Sequence, residues 1–200
     1  DILVPRDRLD EVEAVLLDAG WEWVKDDPYD QSYYRRWMHE LPPLIHRDRD
    51  RMIDVHHTIL PLTARPRPDA AALIAGSVVL PSGLRVLAPA DMVVHAAAHL
   101  LADGDLAGGL RNLWDIDRLL RQFAREDAAF WSTLHERAAR HQLLPAVARA
   151  LRLAHRVYGT PVHGALAGRA RLSDAWFVRC LLARNAWGRA TRPATRLAFY

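Results

Sequence analysis

The sequence is poor in cysteine and lysine and has no apolar run long enough to cross a membrane. Cys180 is the only cysteine in 200 residues, which excludes an intrachain disulfide framework. Such usage suits a reducing compartment, and the expectation is a cytoplasmic protein. A spanning helix needs about 20 apolar residues. The longest candidate, Met92 to Leu101, is shorter and contains His95 and His99. The first residues lack a basic stretch followed by an apolar run, so no secretory signal is read there. The chain opens at Asp1 rather than methionine, and the expectation is a piece of something longer or a processed product. Gly104 to Gly109 carries no lysine, so it is not a Walker-type phosphate loop. No serine stands in a nucleophile elbow, which removes the α/β-hydrolase class.

What is present is ordinary globular material, 50% hydrophobic and 26% charged, and long enough to bury a core unaided. Lys25 is the sole lysine, so the basic charge is arginine. Its excess gathers late: Arg169, Arg171, Arg179, Arg184, Arg189, Arg192 and Arg196 face a single acid, Asp174. This is either an anion-binding tail for nucleotide or nucleic acid or a solvated helix face.

Periodicity divides the chain into strands first and helices second. Asp1–Val4 is an apolar run stopped by Pro5, suited to the end of a buried strand. Leu9, Val12, Val15, Leu16 and Ala19 share one helical face, and Gly20 ends that helix. Trp21 to Lys25 reads as a strand, Asp26 to Asp30 as a loop, and Tyr33 to His39 as a further strand. Leu41 to Arg47 and Arg51 to Leu60 read as strands joined by a charged turn, the first bent or at an edge because of Pro42 and Pro43. Asp69 to Ala75 suits a short helix, and Pro81-Ser82-Gly83 a hairpin turn. From Pro89 onward, helices are expected at about 90–102, 110–125, 129–141, 144–158 and 173–187. The order predicts an α+β fold, with an α+β part over residues 1–87 and a helical part over 88–200.

The most informative stretch is Met52-Ile-Asp-Val-His-His-Thr-Ile-Leu60. Alternate strand residues share a face, so Ile53, Val55, His57 and Ile59 point one way. Asp54, His56 and Thr58 point the other. Either a carboxylate is held over a cleft, or the sheet has a polar outer face.

The start of the chain weighs on that choice. An acid leading an apolar strand, a helix after it, and a further acid on a later strand resemble the polymerase-β-like nucleotidyltransferase superfamily. Asp1-Ile-Leu-Val-Pro5 looks like the second acid of that superfamily's Asp-x-Asp pair, and Asp54 falls where its third acid stands. Ile53-Asp-Val-His-His57 with Pro61, the helix Asp91 to His99, and Arg111-Asn-Leu-Trp-Asp115 are similar to one branch, an uncharacterised nucleotidyltransferase family. The pattern departs from the family where the Gly-Ser turn and first acid would stand, upstream of Asp1. The part over residues 1–87 is thus expected to be a catalytic core incomplete at its N-terminus.

The resemblance implies transfer of a nucleoside monophosphate from a nucleoside triphosphate (NTP) to a hydroxyl acceptor, which can be a small molecule, a protein or an RNA end. It implies Mg²⁺ or Mn²⁺, held by Asp1 and Asp54. In such chemistry two ions about 3.5–4 Å apart stabilise the attacking and leaving oxygens, and magnesium favours hard oxygen ligands. Asp54 would ligate the ion or act as base, and His56 would orient the acceptor or a phosphate. Arg111, oriented by Asp115, and His99 become candidate nucleotide contacts. Aminoglycoside-type nucleotidyltransferases and a catalytically degenerate binding or regulatory relative are the alternatives.

Other features have plainer readings. His95 and His99 at i, i+4 can bind zinc, or can be core histidines bonded to a neighbour. Arg111, Asp115 and Arg118 can be a surface charge pair. Trp21, Trp23, Tyr33, Tyr34 and Trp37 can stack a base or pack a small sheet against its helix.

Overall fold

The computed structural model describes residues 1–102, 106, 109–183 and 191. The chain divides into two compact units, residues 1–87 and 88–200. The class is α+β, with small sheets in the first unit and helices dominating the second.

In the first unit, strand β1 (Ile2–Leu3) leads through a single 3-10 turn, Arg6–Arg8, into helix α1 (Leu9–Asp18). Gly20 follows with φ +89, the left-handed conformation expected of the residue that ends this helix. Strands β2 (Trp21–Trp23), β3 (Leu44–His46) and β4 (Arg51–Ile53) form an antiparallel sheet in that order. Leu41, Leu44 and Val55 form its buried centre, against which Leu9, Val12 and Leu16 of α1 pack. Of the stripe read from the sequence, Leu9, Val12 and Leu16 face the sheet, joined by Leu17, whereas Val15 and Ala19 are exposed.

Helix α2 (Pro28–Trp37) replaces the loop and the strand expected around Asp26–Asp30 and Tyr33–His39. The cause is a strong start signal. The Asp27 carboxylate accepts the backbone N–H groups of Tyr29 at 2.7 Å and Asp30 at 3.3 Å, with Pro28 in the first turn. A charged knot ties α2 to α1 and β2. Glu13, buried on α1, accepts Arg35 of α2 at 2.6 and 2.8 Å and the Trp23 indole N–H at 3.0 Å.

The expected strand from Arg51 to Leu60 is broken. β4 ends at Ile53, and β5 (Val55–His56) begins one residue later with different partners. Beyond His56 the chain leaves the sheet. Prolines 42 and 43 likewise shorten the preceding strand to Leu44–His46. The unit closes with α3 (Ala70–Ala75) and the hairpin β6 (Val78–Val79) and β7 (Arg85–Val86), turned at Gly83.

The second unit holds α4 (Pro89–Ala102), α5 (Gly109–Glu126), α6 (Phe130–Arg140), α7 (Leu144–Tyr158), the short α8 (Gly164–Ala167) and α9 (Leu172–Leu181). α4 packs against α5, α6 and α7. Gly109 is required by close approach, because a Cβ there would lie 2.8 Å from Leu181 and 2.9 Å from Leu100. The expected breaks at Gly104 and Gly108, the helix end near 187, and Arg184, Arg189, Arg192 and Arg196 lie outside the described residues.

Three buried acids cross-link this bundle. Asp91 of α4 accepts Arg137 of α6 through both carboxylate oxygens at 2.7 Å, with His141 Nε2 3.4 Å away. Asp117 of α5 accepts the Thr160 hydroxyl and Arg121, each at 2.7 Å. Asp174 of α9 accepts Arg152 of α7 at 2.8 and 3.1 Å.

Burial alone would raise the Asp91 carboxyl, but hydrogen bonds from His141 and Arg137 outweigh it and hold the group below the usual range. Asp117 and Asp174 are depressed in the same way, against burial, by Thr160 and Arg152 in turn. A depressed folded-state pKa contributes stability above the unfolded value of about 3.9, lost as pH falls through the lower folded value. Urea unfolding should therefore show lower stability near pH 3 than near pH 6, with a smaller difference in Asp91→Asn. Asp91→Ala, which removes the buried carboxylate that Arg137 donates to, should cost about 3–5 kcal/mol at neutral pH.

Candidate active site

The site is built around β5, whose two residues are hydrogen-bonded on both edges. On one edge β5 runs parallel to β1, with Ile2 opposite Val55 and Leu3 opposite His56. The Asp54 carbonyl accepts the Ile2 N–H and the His56 carbonyl accepts the Val4 N–H, both at 2.9 Å. On the other edge the segment 39–41 runs antiparallel, with Glu40 bridged to His56. There His57 N–H donates to the His39 carbonyl and Leu41 N–H to the Val55 carbonyl, both at 2.9 Å.

This register places the sequence-predicted acids. Asp1 and Asp54 each precede the first paired residue of adjacent parallel strands, so they occupy corresponding positions in the ladder. Asp54 is half-buried and Asp1 exposed. Asp54 is also where the chain exchanges β3 for β1 as partner, since β4 pairs with β3 and β5 with β1. The alternation expected here holds as far as His57: Val55 and His57 are buried, Asp54 and His56 half-buried. Thr58 departs from it and is buried.

Two neighbours escaped the sequence reading. Glu40 Oε2 lies 3.4 Å from His56 Nδ1, and the His39 and His56 rings are 4.9 Å apart. Burial first, and the Asp54 charge second, push the Glu40 carboxyl above the usual carboxylate range. Burial followed by the charges of Glu40, Asp30 and Asp54 likewise raises the Tyr34 phenol. Burial is the larger cause of both shifts, and the Asp54 charge adds to each. The missed signal was His39-Glu40: His39 was read as the end of a strand from Tyr33 and Glu40 was given no role, whereas the segment 39–41 pairs along the second edge of β5. Burial lowers His57, helped by the nearby Arg6 charge, and favours a neutral imidazole.

The aromatic residues divide. Trp21 and Trp23 pack against the sheet core, whereas Tyr29, Tyr33 and Trp37 are exposed on α2. Tyr29 and Tyr33 stack with ring centroids 6.3 Å apart.

The remaining candidates stand in the helical unit. His99 is exposed on α4, and its Nδ1 lies 3.3 Å from Asn112 Nδ2. Arg111 and Asp115 are exposed on α5. Among the described residues no ion pair joins Arg111 to Asp115, and Arg118 turns to buried Asp117 at 2.9 Å. Asp117, two positions from Asp115, is the acid that Arg118 and Arg121 engage. Thermal unfolding should separate these roles. Arg111→Ala should shift stability by less than about 0.5 kcal/mol, whereas Asp117→Ala should cost about 3 kcal/mol or more.

Comparison with known proteins adds one match. The model of a family described as uncharacterised nucleotidyltransferase matches residues 1–159, spanning both β5 and α5. No curated protein matches the chain, and no solved structure matches it.

Proposed function

Since the chain belongs to the uncharacterised nucleotidyltransferase family, with nucleotidyl transfer from an NTP as its general chemistry, we propose that Asp54 stands at the reacting centre of a metal-dependent transfer to a hydroxyl acceptor. The observation that carries the reading is the register at β5, which sets Asp1 and Asp54 at corresponding positions of adjacent parallel strands.

The donor set suits a hard divalent cation such as Mg²⁺ or Mn²⁺: carboxylate oxygens at corresponding positions of two neighbouring strands. Asp1 and Asp54 are the residues that would hold it. Such an ion, when bound, supplies Lewis-acid stabilisation of charge on the phosphoryl oxygens.

The chain's own groups then divide the work. The Asp54 carboxylate, when not fully engaged by a cation, accepts the proton of the acceptor hydroxyl. The hydroxyl oxygen bonds to the α-phosphorus, the bond to the bridging oxygen breaks, and pyrophosphate leaves. His56, two residues along the same face, orients the acceptor or a phosphate. In the helical unit, Arg111 and His99 are the candidates for nucleotide contact. Arg111 offers a planar, permanently charged fork that matches phosphate oxygens.

The test is incubation with Mg²⁺ and each labelled triphosphate, reading pyrophosphate release and label transfer to acceptors. Asp54→Asn should lower turnover at least about a hundredfold with an unchanged circular dichroism spectrum. Arg111→Ala should act mainly by raising KM for the triphosphate. Normal turnover in Asp54→Asn would remove Asp54 from the site.

A further inference from the structure

A second donor set lies beside the carboxylates assigned above. His39, Glu40 and His56 each offer one ligand atom, and these atoms all lie within 4.8 Å of one another. The backbone fixes their approach. Glu40 faces His56 across an antiparallel bridge flanked by hydrogen bonds on both sides, the pairing in which opposed side chains come closest. All three residues are half-buried.

We propose that His39, Glu40 and His56 form a binding site for a borderline divalent transition ion of the Zn²⁺ class, separate from the oxygen site of Asp1 and Asp54. Two imidazoles and one carboxylate are a poor match for Mg²⁺, which takes oxygen ligands. They are a good match for zinc, cobalt or nickel, to which imidazole is suited. Zinc takes imidazole nitrogen and carboxylate oxygen at about 2.0–2.2 Å, so neighbouring ligand atoms in a tetrahedral shell stand about 3.3–3.5 Å apart. His56 Nδ1 and Glu40 Oε2 already meet at 3.4 Å. The His39 ring lies 4.9 Å from the His56 ring, tilted by 31°, with its ligand atom within 4.8 Å of the other two. Three protein ligands leave a fourth position open.

The site is compatible with the catalytic reading of His56, because an imidazole bound through one ring nitrogen keeps the other N–H to donate. It does not depend on that reading, since occupancy is measured without nucleotide.

The test uses the untagged protein, stripped by a chelator and titrated with Co²⁺ and then Zn²⁺. One equivalent of Co²⁺ should produce the visible bands of a four- or five-coordinate ion, abolished by one equivalent of Zn²⁺ and unaffected by excess Mg²⁺. His39→Ala and Glu40→Gln should each weaken Co²⁺ binding at least tenfold, while Asp54→Asn should retain the bands. In the unsubstituted protein, Zn²⁺ should move the ring-proton NMR signals of His39 and His56 before those of other histidines, a readout independent of how the variants fold. Absence of visible bands, binding unchanged in the two variants, or Zn²⁺ shifts confined to other histidines such as His95 and His99 would each overturn the proposal. Loss of the bands in Asp54→Asn with retention in His39→Ala would place the ion on the carboxylates instead.

Discussion

The two-residue strand Val55–His56 has no spare backbone edge. β1 occupies one side and the segment 39–41 the other, each through a pair of 2.9 Å hydrogen bonds. With both edges paired, a slip of one residue would turn every side chain to the opposite face. Val55 is fully buried in the sheet's core, so that slip would also move a polar neighbour into apolar surroundings. The register therefore fixes which face Asp54 and His56 present, and sets Asp1 and Glu40 beside them in the ladder.

The two units treat acidic residues in opposite ways. In the helical unit, Asp91, Asp117 and Asp174 are buried and compensated by hydrogen bonds from His141 with Arg137, from Thr160 with arginines, and from Arg152 in turn, and their pKa values fall. Around β5, burial first and the Asp54 charge second raise Glu40 instead. Carboxylates satisfied by arginine hold helices together. Carboxylates facing like charge are where a cation gains most, which is why the ladder at β5, and not the more deeply buried acids, carries the proposed chemistry.

Much of this was legible from local pattern. The left-handed Gly20 and the turn at Gly83 follow from backbone freedom and appear as read, and the stripe on α1 does so at Leu9, Val12 and Leu16 but not at Val15 and Ala19. The α2 region was misread because its tyrosines and tryptophan favour strands on average, while the Asp27-Pro28 start signal, worth about 1 kcal/mol, decides locally. The break at Asp54 could not be seen. Alternation continues through it, and only the change of partner strand reveals it. Glu40 and His39 were hidden because they meet His56 through a pairing sixteen residues distant, just ahead of two prolines. Asp91 and Asp117 were given no role from sequence, and the partners that tie them to other elements, Arg137 and Thr160, stand 46 and 43 residues further along the chain.

The central claim is that the ladder at β5 gathers a cation-binding acid cluster. Its most direct test is paramagnetic broadening of amide NMR signals by substoichiometric Mn²⁺. The account predicts that the signals of Ile2, Val55, His56 and Leu41 broaden first, ahead of the exposed acidic turns at Asp26–Asp27 and Asp48–Asp50. Broadening led by those turns, with Val55 and His56 left sharp, would contradict it.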